Sequence, residues 1–184
     1  MQRRAVIISL TMLGLTGCVS GLGIEGTARP QMDRSYALRG FSFAALEGLS
    51  VSESETFYPD ADIVWRGDPM GPRIPQIAAM FQEAAARTRP VVDDAVPVDV
   101  DVTLVRFHGV TNRTRYTVGG VYNVVFDLTI HRAGFDEVIE PARRVVDNLD
   151  APGGERAGLL EQSGQTQKVR VTDFLTTLLR AQLV

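Results

Sequence analysis

Cysteine is almost missing from this chain: Cys18 is the single one among 184 residues. A lone thiol cannot close an intrachain disulfide, so the fold must stand on burial alone. CxxC redox chemistry and Cys-based metal clusters are excluded with it. Lysine is equally scarce, Lys168 being the one lysine among 19 basic residues, and there are one tryptophan and two histidines. No apolar run reaches the roughly 20 residues that a membrane-spanning helix needs. No Gly-x-Ser-x-Gly string offers a nucleophile elbow. The string Gly67-Asp68-Pro69-Met70-Gly71 lacks the Gly-Lys-Ser/Thr ending of a phosphate loop. A formal charge of −3 gives no broad attraction for nucleic acid or anionic headgroups.

What is present begins at the first residues. Arg3 and Arg4 open the chain, a mostly apolar run extends from Ala5 to Leu15, and Thr16-Gly17-Cys18 follow. A basic start, a short apolar run and small residues before a cut site make a secretory leader. With a cysteine directly after the cut, the stretch resembles the lipobox of bacterial lipoproteins, whose thiol receives diacylglycerol before the leader is removed. The resemblance implies a signal peptide over residues 1–17 and a mature chain that starts at lipidated Cys18, outside the cytoplasm. Two or three acyl chains, at about 0.8 kcal/mol per buried methylene, make such an anchor effectively permanent. In many Gram-negative bacteria an Asp after the cysteine favours inner-membrane retention. Val19 stands there instead, which implies an outer-membrane anchor facing the periplasm. Val19 to Arg34 is rich in Gly, Ser and Thr without apolar periodicity, so residues 18–34 read as lipidated Cys plus tether. A flexible tether of this length spans about 20–24 Å.

Residues 35–184 read as a single domain. Tyr36 to Leu46 alternates as a strand, and Leu49 to Glu53 alternates again as its continuation past a Gly48 bend. Tyr58 to Arg73 is dense in Pro, Gly and Asp and reads as an ordered loop around Ile63-Val64-Trp65. Ile74 to Thr88 is a helix, with Ile74, Ile77, Phe81, Ala84 and Ala85 on one face and Pro90 beyond its end. Pro97 to His108 and Val118 to Arg132 are strands of clean alternation, joined by the turn-like Gly109 to Thr117. Ala133 to Asp136 makes a hairpin to a third strand, Glu137 to Asn148, where Pro141 argues for an edge or a bulge. A closing helix starts near Glu161 or Thr166 and ends at Leu183. The expected architecture is α+β: a single mostly antiparallel sheet of 4–5 strands with two helices packed on one face.

Candidate chemistry is sparse. The Asp60–Arg73 loop gathers Asp62, Trp65, Arg66 and Asp68, which could contact a polar ligand or partner. Trp65 could stack on a sugar ring, or it could plug the helix–sheet junction instead. His131 and Asp127 share a strand face about 13 Å apart, too far to hold one ion. No metal and no cofactor are expected. Asp99 and Asp101 lie about 7 Å apart on one face, a spacing open to acid–base hydrolysis and equally to a solvated strand face. Arg106, Arg113, Arg115, Arg132, Arg143 and Arg144 form the one basic concentration, which could meet an acidic partner or pair with the chain's own carboxylates.

The run LSVSESETFYPDADIVWRGDPMGPRIPQI from Leu49 and the RFHGVT segment from Arg106 resemble a family of alphaproteobacterial lipoproteins, ADIVWRGDP being the most specific string. That family's activity is undetermined, so the resemblance implies lineage and location but no catalytic residue. The architecture is also similar to that of small periplasmic lipoproteins that assist envelope assembly or transport. The combined expectation is a non-catalytic protein, attached to a membrane through Cys18, with an envelope protein or cell-wall partner and no nucleic acid. A sugar- or peptidoglycan-binding module using the Asp60–Arg73 loop is the alternative.

Overall fold

The computed structural model describes residues 35–88 and 95–184, and the expected signal peptide, lipidated Cys18 and tether lie outside them. Nine elements follow in order: β1 (Tyr36–Ala45), β2 (Ile63–Val64), α1 (Arg73–Thr88), β3 (Val96–His108), α2 (Asn112–Arg115), β4 (Gly120–Arg132), β5 (Val138–Ala151), α3 (Gly154–Gln162) and α4 (Gln167–Ala181).

Alternation dictates the sheet. Val98, Val100, Val102 and Leu104 of β3 and Tyr122, Val124, Phe126, Leu128 and Ile130 of β4 are buried, while the residues between them are partly open. Placed antiparallel, with Val102 opposite Leu128, the two rows make one apolar face. β5 adds antiparallel to β4. A bulge between Leu104 and Arg106 of β3 shifts the phase, so that Phe107 also turns inward.

The path order is β1-β3-β4-β5, with β2 beside the end of β3. The antiparallel ladders carry most of the sheet, but β1 and β2 run parallel to β3. The reason is the connection: α1 carries the chain back across the sheet before β3 begins, and such a crossover joins parallel strands. The segment after Gly48 does not continue β1. Gly48 takes φ +78°, and Val51 makes only an isolated bridge to Ile63.

α1 and α4 cover the apolar face. Ile77, Met80, Phe81 and Ala84 of α1 and Val171 and Leu175 of α4 are fully buried. Phe81 meets Phe126 edge-on at 5.5 Å. The helices are also tied to each other, Arg87 pairing with Asp173 at 2.7 Å. The expected closing helix is α4, starting at the Thr166 alternative, and a further short helix, α3, precedes it. α3 stops at Gly164, whose φ of +81° leaves the helical path, and α4 restarts under a Thr166 cap whose hydroxyl accepts the Val169 N–H.

β5 is an edge strand, and its free side is blunted. Pro141 sits where the register with β4 slips, between the pairs Leu128–Arg143 and Ile130–Glu140. The Asn148 N–H donates to the Asp147 carboxylate at 2.7 Å, and the Asp150 carbonyl accepts from Arg170 at 2.6 Å.

The sheet has two distinct ends. β1 and β3 both start where the chain enters at Ser35. The β4–β5 hairpin turns at that end, and the chain finishes there, Leu183 accepting the Tyr36 N–H. The other end carries the long loop after β1, α2 and the β5–α3 connection. Thirteen residues of β3 separate the ends by about 40 Å. Phe126→Ala is expected to cost about 3–5 kcal/mol, because it opens a cavity where sheet and α1 meet. A lowered urea midpoint at unchanged m-value checks this.

Candidate functional site

The loop between β1 and α1 holds the candidate residues, and its own side chains fasten it. The Asp62 carboxylate accepts the Ser50 N–H at 2.9 Å and the Ser50 hydroxyl at 2.6 Å. These two bonds hold its pKa below the usual aspartate value, the hydroxyl contributing most. The Arg66 side chain is only 5% exposed. Its guanidinium reaches Glu55 at 2.8 Å, Glu53 at 3.4 Å and the carbonyls of Ser52, Ser54 and Trp65. Arg73, at the start of α1, donates both of its outer faces, one as a fork to Glu53 at 2.7 and 2.9 Å and one to the Pro69 carbonyl at 3.2 Å. The hydrogen bonds from Arg73 hold the Glu53 carboxyl below its ordinary value of 4.5, against a smaller opposing effect of burial.

Trp65 is fully buried, with Phe107 edge-on at 5.6 Å and Tyr122 at 6.3 Å. Its indole N–H donates to Asp68 at 2.8 Å, and the other oxygen of Asp68 accepts from Lys168 at 2.7 Å. Gly67 is required beside it, since a Cβ there would lie 2.2 Å from the indole ring. Of the two readings open for Trp65, the buried position has the ring as the plug, set between loop and sheet. Arg66 and Asp68 are likewise committed to internal partners rather than presented to a ligand, and Asp62 is engaged by Ser50 with Arg106 at 3.9 Å. The physical reason is common to all four. Burying an indole beside two guanidinium groups is tolerable only when every donor finds an acceptor, and these carboxylates and carbonyls are the acceptors.

The other candidates are also occupied. Asp99 accepts from the Gly134 N–H at 2.8 Å. Asp101 accepts from Ser42 at 2.6 Å and meets His131 at 3.0 Å, with half of its side chain in solvent. These two carboxylates stand on the open sheet face rather than facing each other across a cleft. His108 is buried under Tyr58 and bonded to the Pro59 carbonyl at 2.9 Å. Among the described residues, no three of His, Cys, Asp and Glu converge. Arg144 pairs with Asp127 at 2.8 Å, Arg132 with Glu137 at 2.6 Å, Arg143 with Glu140 at 3.4 Å and Arg115 with Glu161. A cavity of about 10 Å³ between Tyr122, Gln167 and Arg115 has room for a water molecule. An open groove of about 300 Å³ runs along Val51, Pro72 and Ile74.

What sequence reasoning missed lies at the rim of the loop. Phe57 and Tyr58 are 48% and 71% exposed, yet both are braced. The Arg113 guanidinium lies 4.4 Å over the Phe57 ring. Tyr58 stacks on His108 at 4.3 Å, and its hydroxyl accepts from Arg106 at 3.0 Å. α2 anchors the backbone beneath, since the hydroxyls of Thr111 and Thr114 donate to the carbonyls of Thr56 and Phe57. Two aromatic rings inside a polar string carry no periodic signal, so only the folded arrangement reveals them.

A family model covers residues 36–184 of this chain. The chain belongs to the family of unknown function DUF6778. The resemblance read from the sequence, to a family without a determined activity, holds at that level. No curated protein matches the chain. Among crystal structures, the DUF6778 chain is similar to a Xanthomonas campestris protein of family DUF330, at 11% identity and a TM-score of 0.44, over 81% of this chain and 84% of that one. It is also similar to an uncharacterized protein, at 14% identity and a TM-score of 0.33, over 82% and 94% of the two chains. A putative lipoprotein from Caulobacter crescentus CB15 matches at 12% identity and a TM-score of 0.30, over 78% and 86%.

Two outcomes follow for the DUF6778 loop. Trp65 emission should be blue-shifted, resist acrylamide and stay unchanged on addition of saccharides, and a saccharide-dependent shift would restore the ligand role. Glu53→Gln should cost about 1–2 kcal/mol at neutral pH, the fork to Arg73 being discounted for the solvent exposure of Glu53. The folded pKa of Glu53 is lowered, so its contribution is complete above the unfolded value near 4.5 and is lost as pH falls through the folded one. Urea titrations of both proteins should therefore converge in acid.

Proposed function

We propose that this DUF6778 protein is an envelope lipoprotein, anchored through Cys18 at the outer membrane and facing the periplasm. In this reading it works without catalysis, as an accessory of envelope assembly or transport that acts by contact with a protein partner. The observation that carries the contact role is the braced aromatic rim. Rings exposed to water but held by Arg113, Arg106 and His108 lose little side-chain freedom on binding, and Tyr, Phe and Arg are the residues that dominate protein interfaces. The rim lies at the end of the sheet far from Ser35, where a partner can reach it while the other end is tethered. The leader and its cysteine support the anchor, and the internal commitment of the polar candidates supports a non-catalytic reading. The sugar-binding alternative loses its main support with the burial of Trp65.

Metabolic labelling with a palmitate analogue should mark the parent protein and leave Cys18→Ala unlabelled and released from membranes. A photo-crosslinking amino acid at Tyr58 should capture a reproducible envelope protein, whereas the same group at the exposed Val146 on the open sheet face should not. Recovery of the chain alone from Tyr58 crosslinks would overturn the contact role.

A further inference from the structure

The end of the domain where the chain enters carries its own exposed apolar surface. Phe135 is 66% exposed at the tip of the β4–β5 hairpin, Val138 is 51% exposed, Val96 39% and the final Val184 74%. Hydrogen bonds bring the segments that carry these residues to one end of the sheet. The Val96 N–H donates to the Ser35 carbonyl at 2.9 Å, the Ala133 N–H to the Pro97 carbonyl at 3.2 Å and the Tyr36 N–H to the Leu183 carbonyl at 2.8 Å. The tip is held rather than loose. Gly134 takes φ +76° and donates to Asp99 at 2.8 Å, and the Phe135 N–H closes the turn on the Arg132 carbonyl at 2.9 Å. At its base, Arg132 and Glu137 neutralise each other at 2.6 Å. Phe135 thus stands two-thirds exposed at a fixed turn tip, beside the exposed Asp136, and presents its ring to whatever lies beyond this end of the sheet.

The position of the tether says which boundary. Residues 19–34 run from Cys18 to Ser35, and Ser35 is hydrogen-bonded to the same end of the sheet as Phe135. The geometry points to a membrane-seating end: Phe135 at the hairpin tip, with Val138 on the open face and Val96 on the helix-covered face of the same sheet end, rests in the headgroup–acyl boundary of the bilayer that holds the Cys18 lipid. This inference rests on the lipoprotein reading proposed above. A weak apolar contact suffices, because the anchor keeps the face at millimolar effective concentration against its own bilayer. Seating this end turns the Phe57–Tyr58 rim outward, about 40 Å from the membrane surface.

The test uses the full acylated protein in vesicles of phosphatidylethanolamine and phosphatidylglycerol. Cys18 is the chain's one cysteine, so when it is acylated an introduced cysteine takes an environment-sensitive NBD dye alone. Dye at Phe135→Cys and at Val138→Cys should brighten several-fold and be quenched by lipids carrying spin labels in the acyl chain, while dye at Tyr116→Cys should behave as in water. Adding Phe135→Asp to the Val138→Cys protein should return its dye to the aqueous level, with thermal melting unchanged because position 135 is largely exposed. Aqueous signals at positions 135 and 138 in protein whose intact mass shows an acylated Cys18 would overturn the seating face and leave the anchor standing. An unacylated mass would overturn both. Brightening at all three positions would replace a seated end with general adsorption and overturn the proposal as well.

Discussion

The hydrogen bond from the Trp65 indole to Asp68 is the contact on which the site end of this molecule depends. An indole buried against Phe107 and Tyr122 contributes a large apolar area, but its N–H must be answered inside the protein. Asp68 answers it, and Lys168 from α4 neutralises the carboxylate that results. Loop, sheet and last helix are thereby joined at one point. Arg66 and Arg73 add to the same closure, since their guanidinium groups draw Glu53, Glu55 and several loop carbonyls into a ring around the tryptophan. A polar segment that would otherwise sample many conformations is held in one. Its outermost residues, Phe57 and Tyr58, inherit that rigidity.

Much of this fold is legible as alternation. β3, β4 and the α1 face follow from period 2 and period 3.6 because burial decides them residue by residue. Pro141 also announced its edge and bulge correctly, since a missing N–H has few places to go. Other features leave no local mark. A strand reads the same whether its neighbour is parallel or antiparallel, so the pairing of β1 with β3 follows from α1 rather than from Tyr36–Ala45 itself. α3 buries only Ala157, which is too little to write an amphipathic stripe into Gly154–Gln162. The candidate loop shows the same division. Its composition marked Asp62, Trp65, Arg66 and Asp68 as unusual, but the same residue types serve a ligand and a self-satisfied network equally well. Only partners distant in sequence, such as Lys168 and Phe107, distinguish the two.

The two ends of the sheet differ in kind. At one end, chain entry, chain exit and a hairpin tip meet around small aliphatic side chains and Phe135. At the other, aromatic rings are gripped by arginines and a histidine. Parallel β1 and β3 produce this separation, because they send the entering chain and the long loop to opposite ends. Topology, rather than any single side chain, therefore gives the domain a direction.

The blunted side of β5 matters wherever copies of this protein meet at high concentration. Bare strand edges zip into shared sheets under such conditions. Asp147, Arg170 and Pro141 occupy or delete the groups that such zipping would recruit. Along β5, neighbouring copies therefore meet an edge with few groups left to pair.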